Sequence, residues 1–199
     1  MHFRSFLSIL AGLLYVAAFV PYIRAILRKE AQPAKASWII WAILDSITLA
    51  GMIAKHAVNG LIVGALIGAW MVVILALKYG KSGWTRLDKF CLGGAVLGVV
   101  LWGISGNPTF GIVTSLSVVF LGSFPTFASA WSDPSKEDRT AWTIFFISCI
   151  VAMFAIPAWT LADAAQPVTF LAIETVMVFI LYCRPLIGRW QHSLKDQMP

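Results

Sequence analysis

The sequence predicts an all-α membrane protein: seven transmembrane helices in two parallel three-helix repeats joined by a linker helix (3+1+3), N-terminus outside and C-terminus cytoplasmic. Three observations predict it: an excess of apolar residues, seven apolar stretches near spanning length, and a match of the chain to itself. Hydrophobic residues make up 59% of the chain and charged residues 12%, against roughly 25% charged in soluble domains. So few charges cannot cover a surface in water, but they suffice where lipid is the solvent. A helix needs about 20 apolar residues to cross the hydrocarbon core, and seven stretches approach that length.

The first segment is expected over Phe6–Leu27. Its apolar run is too long for the core of a cleaved signal peptide, so it reads as a span. The second to seventh follow at Ser37–Lys55, Val58–Leu77, Lys89–Ile104, Thr109–Trp131, Arg139–Thr160 and Ala164–Pro185. The fourth is short and Gly-rich. Gly60, Gly64 and Gly68 in segment 3 and Gly94 and Gly98 in segment 4 have the small-xxx-small spacing that lets membrane helices approach closely.

Thirteen of the 15 Lys and Arg residues fall on one side of this plan, in the loops after segments 1, 3 and 5, in the segment ends beside them and in the tail; Arg4 and Lys55 alone lie opposite. Basic loops stay in the cytoplasm, so the N-terminus is expected outside a plasma membrane or bacterial inner membrane. The net charge of +6 is thus a topology signal and points to no nucleic acid. Cys91, Cys149 and Cys183 lack CxxC spacing and read as small packing residues. His56 and Asn59 fall in an outside loop, where a solvated role is expected. No metal site or cofactor is implied.

Slid by 104 positions, the sequence lays Pro21 on Pro125, Trp38 on Trp142, Ile40 on Ile144 and Ile43 on Ile147. The boundaries of segments 1–3 then coincide with those of 5–7. Three helices are an odd number, so a single helix between the copies makes them parallel. The chain divides into a first repeat at 1–80, linker helix at 81–106, second repeat at 107–187 and tail at 188–199.

With this plan the chain resembles the SWEET / PQ-loop superfamily. The stretch GLLYVAAFVPYIRAILRKEAQPAKASWIIW is similar to a first PQ-loop repeat: a proline near the cytoplasmic end of one helix, a basic loop, then Ser and an aromatic opening the next. VVFLGSFPTFASAWSDPSKEDRTAWTIFF is a degenerate second copy. The Pro-Gln pair itself is Pro21-Tyr22 and Pro125-Thr126 here, segment 2 has no proline, and the family's sugar-contacting asparagines have no evident counterpart. The resemblance implies a transporter scaffold, with Pro21 and Pro125 as hinges between two bundles that open to alternate sides, and it implies no sugar.

Two acidic residues fall at mid-span, Asp45 in segment 2 and Glu174 in segment 7. A charge there costs at least about 2.5 kcal/mol on insertion scales, so such residues face the protein interior or a water-filled cavity. Trp38, Trp41, Asp45 and Thr48 recur at helical spacing and form a stripe of two indoles, a carboxyl and a hydroxyl. An aromatic wall with a few polar groups is how small-molecule sites are lined. The slide by 104 sets Trp70 of segment 3 opposite Glu174, with Thr175 adjacent. The central residues of segments 3 and 7 contact solute in SWEETs, so the resemblance makes Trp70 and Glu174 a solute-facing pair. An indole and a carboxylate suit a cationic or ring-bearing solute. The expected binding residues are Trp41, Asp45, Trp70, Glu174 and Thr175.

The expected function is secondary or facilitative transport of a small polar solute, with the bilayer and further copies in a homo-oligomer as the remaining partner classes. No nucleotide-binding loop is present to power a pump. The alternative is a non-transporting receptor, sorting protein or scaffold. Segment 7 has no lysine for a retinal Schiff base, and no HExxH or GxSxG accompanies the carboxyls, so no enzyme is expected.

Overall fold

A computed structural model describes residues 2–31, 33, 35–80 and 83–195, with the side chains of all these except 87, 125, 129, 136 and 187–195. The described residues form α1 (His2–Leu27), α2 (Lys35–Ala54), α3 (Gly60–Tyr79), α4 (Arg86–Ser105), α5 (Pro108–Gly122), α6 (Phe124–Ser132), a 3₁₀ turn at Pro134–Lys136, α7 (Arg139–Ala155) and α8 (Leu161–Lys195). No strand occurs among them. Six helical stretches, one of them joining α5 and α6, are long and apolar enough to cross a membrane; α7 is apolar but shorter. The chain is a multi-pass membrane protein.

Local chemistry sets the helix ends. Asn59 caps α3 by accepting from the Ile62 amide at 3.0 Å. Thr85 and Asp88 close a reciprocal capping box on α4, which satisfies two of the amides a helix start leaves free. Gly106, at φ 63°, ends α4 in the left-handed region that glycine enters without strain. Asp138 caps α7 through the Ala141 amide at 2.8 Å.

Helices α1, α4 and α8 begin a few residues earlier than expected, at His2, Arg86 and Leu161, and three further differences have identifiable causes or consequences. Segment 6 stops at Ala155 rather than Thr160, because Pro157 pushes Ile156 into extended backbone, at φ −57° and ψ 118°. The seventh helix runs on to Lys195, so residues 188–195, expected as tail, are helical; 196–199 lie outside the described residues. Segment 5 is two helices. The chain turns at Ser123, two residues before Pro125, which has no amide hydrogen to give the Leu121 carbonyl. By contrast α1 continues through Pro21 as one helix. Pro125's side chain, part of the hinge expectation, lies outside the described residues.

Helix α3 lies between α1 and α2, while α8 packs on α7 and α5. Helix α1 also packs on α7, and α2 on α5; α4 leans on α5 and α2. The α1–α3 seam is a backbone contact. A Cβ on Gly64 would stand 2.5 Å from the Gly12 carbonyl oxygen, and the Gly60 amide donates to Ser8 Oγ at 2.7 Å. Glycine is required there because the helices touch through their main chains. The expectation of close approach also holds for Gly94 and Gly98, which face Val118 and Thr114 of α5.

Candidate functional site

The α1–α7 contact changes character along its length. Towards one end the contact is made by small residues, Ala11 of α1 and Ser148 of α7, with Cys149 and Ala152 buried nearby on α7; Ser8 and Gly12 of α1 face Gly60 and Gly64 of α3. Further along come Tyr15 and Phe19 on α1 and Phe145 and Trp142 on α7. The small residues seat the helices closely: Ser148 donates its hydroxyl to the Ala11 carbonyl at 2.6 Å.

A cavity of about 780 Å³ opens beyond the small-residue end. Its lining includes Arg4, Ser8, His56, Asn59, Ala152, Pro157, Asp163 and Pro167. Arg4 donates to the Pro157 carbonyl at 2.8 Å, in the connection between α7 and α8. Asn59, expected to be solvated, is partly buried: besides capping α3 it donates its amide to Gln166 Oε1 at 3.0 Å. Gln166 itself is fully buried.

Deeper in the bundle, Tyr15 donates its hydroxyl to Glu174 Oε1 at 3.2 Å. Glu174 is 3% exposed and Asp45 6%. Tyr15 is within electrostatic reach of Glu174, Cys149 and Asp45, so the two carboxyls share one neighbourhood. Across the bundle, Asp45 Oδ1, Thr48 Oγ1, Ser115 Oγ, Gln166 Nε2 and Glu174 Oε2 are buried without a hydrogen-bond partner among the described residues. Each such atom costs about 1–3 kcal/mol, so each calls for a functional or structural explanation. The buried polar and charged side chains described are Asp45, Thr48, Asp88, Ser115, Ser123, Ser148, Gln166 and Glu174. None of these is basic, so the region holds carboxyls without a buried counter-cation.

The far end is sealed by rings. Tyr15 and Phe19 meet Phe145 at centroid distances of 4.5 and 4.9 Å. Tyr22 lies 5.4 Å from Trp38, and Trp38 5.3 Å from Trp41. Trp142 donates its indole N–H to Glu137 Oε2 at 2.9 Å. Burial pushes the Glu137 carboxyl above its ordinary range, while the Trp142 hydrogen bond acts the other way. Glu137 sits in the loop before α7, outside the membrane-spanning helices.

Of the residues singled out from sequence, Asp45 and Glu174 come into this one neighbourhood. Trp41 is half-buried on the α5 side, with its indole nitrogen beside Gly122. Trp70 is 43% exposed, and its indole nitrogen reaches Ser46 Oγ at 3.4 Å. Thr175 is exposed and donates to its own helix, at the Leu171 carbonyl. Trp70 and Thr175 therefore stand away from the carboxyls.

The register accounts for Trp70. Sliding by 104 pairs the buried Ala11, Tyr15 and Phe19 of α1 with the buried Ser115, Val119 and Ser123. It likewise pairs Leu44, Asp45 and Thr48 of α2 with Ser148, Cys149 and Ala152. For α3 and α8 the burial patterns agree at 105 instead. That slide lays Gln166, Phe170, Glu174, Met177 and Leu181 on Leu61, Ala65, Ala69, Val72 and Ala76, all buried. Glu174 then corresponds to Ala69, and one extra residue sits in the connections of the second half.

Tyr15 and Gln166 complete the site, and sequence reasoning undervalued both. A tyrosine in an apolar run needs a partner for its hydroxyl when buried, and that requirement was the available signal. Compared with known proteins, the chain matches no family model, no curated protein and no solved structure.

Proposed function

We propose that this multi-pass membrane protein is a secondary or facilitative transporter of a small polar solute. In this reading α1–α3 form one three-helix bundle, α5 to α8 form a second, and α4 links them. The solute passes between the bundles by alternating access. Paired neighbours support the two-bundle arrangement: α3 between α1 and α2 is mirrored by α8 between α5 and α7, and α1 on α7 is mirrored by α5 on α2. The burial patterns at slides of 104 and 105 support it independently. It is the plan that the resemblance to the SWEET / PQ-loop superfamily implies. The Lys and Arg bias supports an outside N-terminus, which makes the cavity end the outer one.

One observation carries the transport reading. The buried Tyr15–Glu174 pair lies beyond an open cavity at one end and an aromatic seal at the other. A buried site with a cavity leading towards it on one side and a closed contact on the other suits one state of an alternating-access cycle. A mid-span carboxyl can bind a cationic group directly, or carry a proton with the solute.

The test is a thermal-shift screen of the purified protein with sugars, amino acids, nucleosides, vitamins and polyamines at two pH values, with Glu174→Gln alongside. A ligand at 100 times its dissociation constant stabilises the fold by about 2.7 kcal/mol. The expected result is a stabilising class lost in Glu174→Gln, followed by uptake of that class into proteoliposomes. If Glu174 couples protons, the same substitution abolishes the pH dependence of uptake. Binding without flux would establish the receptor reading instead.

A further inference from the structure

We propose that the Asn59–Gln166 amide pair is the inner gate of the outer cavity, and that the solute it admits to Glu174 is cationic. The inference rests on the transport reading and adds a gate and a charge class to it. Asn59 lines the cavity, while Gln166, its hydrogen-bond partner, lies wholly behind it. The pair ties the start of α3 to α8 across the cavity floor. Behind it lies a buried face of α8. Gln166, Phe170 and Glu174 recur every four residues on one buried face of α8, so Glu174 lies about 12 Å further along. Between the two polar residues the Phe170 ring lies 5.9 Å from Tyr15, so admission to Glu174 also parts these rings. Both ends of this face carry an unpartnered buried atom, Gln166 Nε2 and Glu174 Oε2.

A gate of this kind is inexpensive to open. A neutral hydrogen bond contributes about 0.5–1.5 kcal/mol net, and Gln166 already has a free N–H to offer a passing acceptor. The charge class follows from the interior. Asp45 and Glu174 are buried there, and no Lys, Arg or His is buried among the described residues. An anion would meet two carboxyls and no counter-charge.

Cys149 reports the far side of the gate, because it is fully buried beside Tyr15 and Glu174. Cys91 on α4 is buried elsewhere, against the Gly122–Trp41 region, and reports general loosening. The experiment measures modification of each cysteine in the full chain by mass spectrometry. Two membrane-impermeant methanethiosulfonates are used, one quaternary ammonium and one sulfonate, each scaled to its rate with a free thiol. Two variants are compared with wild type. Gln166→Ala deletes one amide. Asn59→Ser keeps an N-cap for α3 but is too short to reach Gln166.

The expected result is an increase of about tenfold in Cys149 modification by the ammonium reagent in either variant, with Cys91 unchanged and the sulfonate still slow. An unchanged Cys149 rate in both variants would overturn the gate. So would a parallel rise at Cys91 in both. A rise seen equally with the sulfonate would overturn the cationic class. None of these readings needs flux, so a chain that transports nothing can still show the gate, and a true transporter can lack it.

Discussion

The two ends of the α1–α7 contact are built from opposite materials. At the cavity end the helices meet through Ala11 and Ser148, and the space beyond them stays open. At the other end Tyr15, Phe19, Phe145 and Trp142 fill the same interface. One helix pair thus supplies an open mouth and a seal, by side-chain size alone. Small residues let backbones touch without covering the space beside them. Rings cover that space, and each ring pair adds about 0.5–1.5 kcal/mol beyond its buried area. Phe145 faces both Tyr15 and Phe19 across the interface, so opening the sealed end forfeits about 1–3 kcal/mol on that scale. The observed form is therefore the one in which the seal holds.

Breaking the seal should give the largest effect. Phe145→Ala removes the ring that both α1 aromatics contact, and a Phe→Ala change in a packed core costs about 3–5 kcal/mol. The expected outcome is a clear fall in melting temperature together with Cys149 becoming modifiable from the basic-loop side of proteoliposomes. Protection of Cys149 from that side in a folded Phe145→Ala protein would show that the rings are packing and nothing more.

The open end has its own point of failure, the main-chain contact of α1 with α3. Gly64→Ala places a Cβ against the Gly12 carbonyl, with backbone on both sides and no flexible side chain to yield. Overpacking of this kind costs about 1–3 kcal/mol. Gly93 is the control, since a Cβ there meets nothing within 4 Å; Gly93→Ala should be neutral or gain up to about 1 kcal/mol from helix propensity. Equal melting temperatures for the two variants would contradict the account of the seam.

A smaller effect is expected from the carboxyl at the sealed end. Glu137 is buried enough to raise its pKa in the folded chain, against an ordinary Glu value of about 4.3. The folded state then holds this proton more tightly than the unfolded state. Stability is greatest below the ordinary value and falls as pH rises through the window up to the raised one. Glu137→Gln keeps an acceptor for the Trp142 indole and removes the titration. Melting temperature measured across that window should flatten in the variant relative to wild type. An unchanged slope would assign the pH dependence to other groups.

Much of the fold was legible because lipid imposes simple rules. Seven apolar stretches and a basic bias are consequences of solvent. Pro157 carries a helix-end signal too, but the apolar run past it to Thr160 hid the stop at Ala155. Ser123 was not legible. Pro21 and Pro125 have the same missing amide, and only in the second does the chain break, since neighbouring packing decides whether a membrane helix tolerates proline. The carboxyls of the site could be found because a mid-span charge must be explained. Tyr15 hides in an apolar run as ordinary packing. Asn59 looks solvated because it opens a helix after a loop, and it is the approach of α8 that buries it. A register shift of one residue inside a connection leaves the hydropathy profile unchanged, so an ungapped comparison could not see it.

That shift yields the smallest expected effect, and a sharp one. Under a slide of 104 Trp70 is the counterpart of Glu174; under 105 it is Ala69. The two residues are adjacent on α3 and face opposite ways: Ala69 is 3% exposed and packs with Ala42 and Val73, while Trp70 is 43% exposed. Trp70→Phe removes only the long indole contact to Ser46, so its stability should stay within about 0.5 kcal/mol of wild type, with solute uptake unaltered. Ala69→Leu forces extra volume against α2 and should cost about 1–3 kcal/mol. Reversal of that order, with uptake lost in Trp70→Phe and an indifferent Ala69→Leu, would restore the ungapped register and place the indole, rather than the helix interior, in the path of the solute.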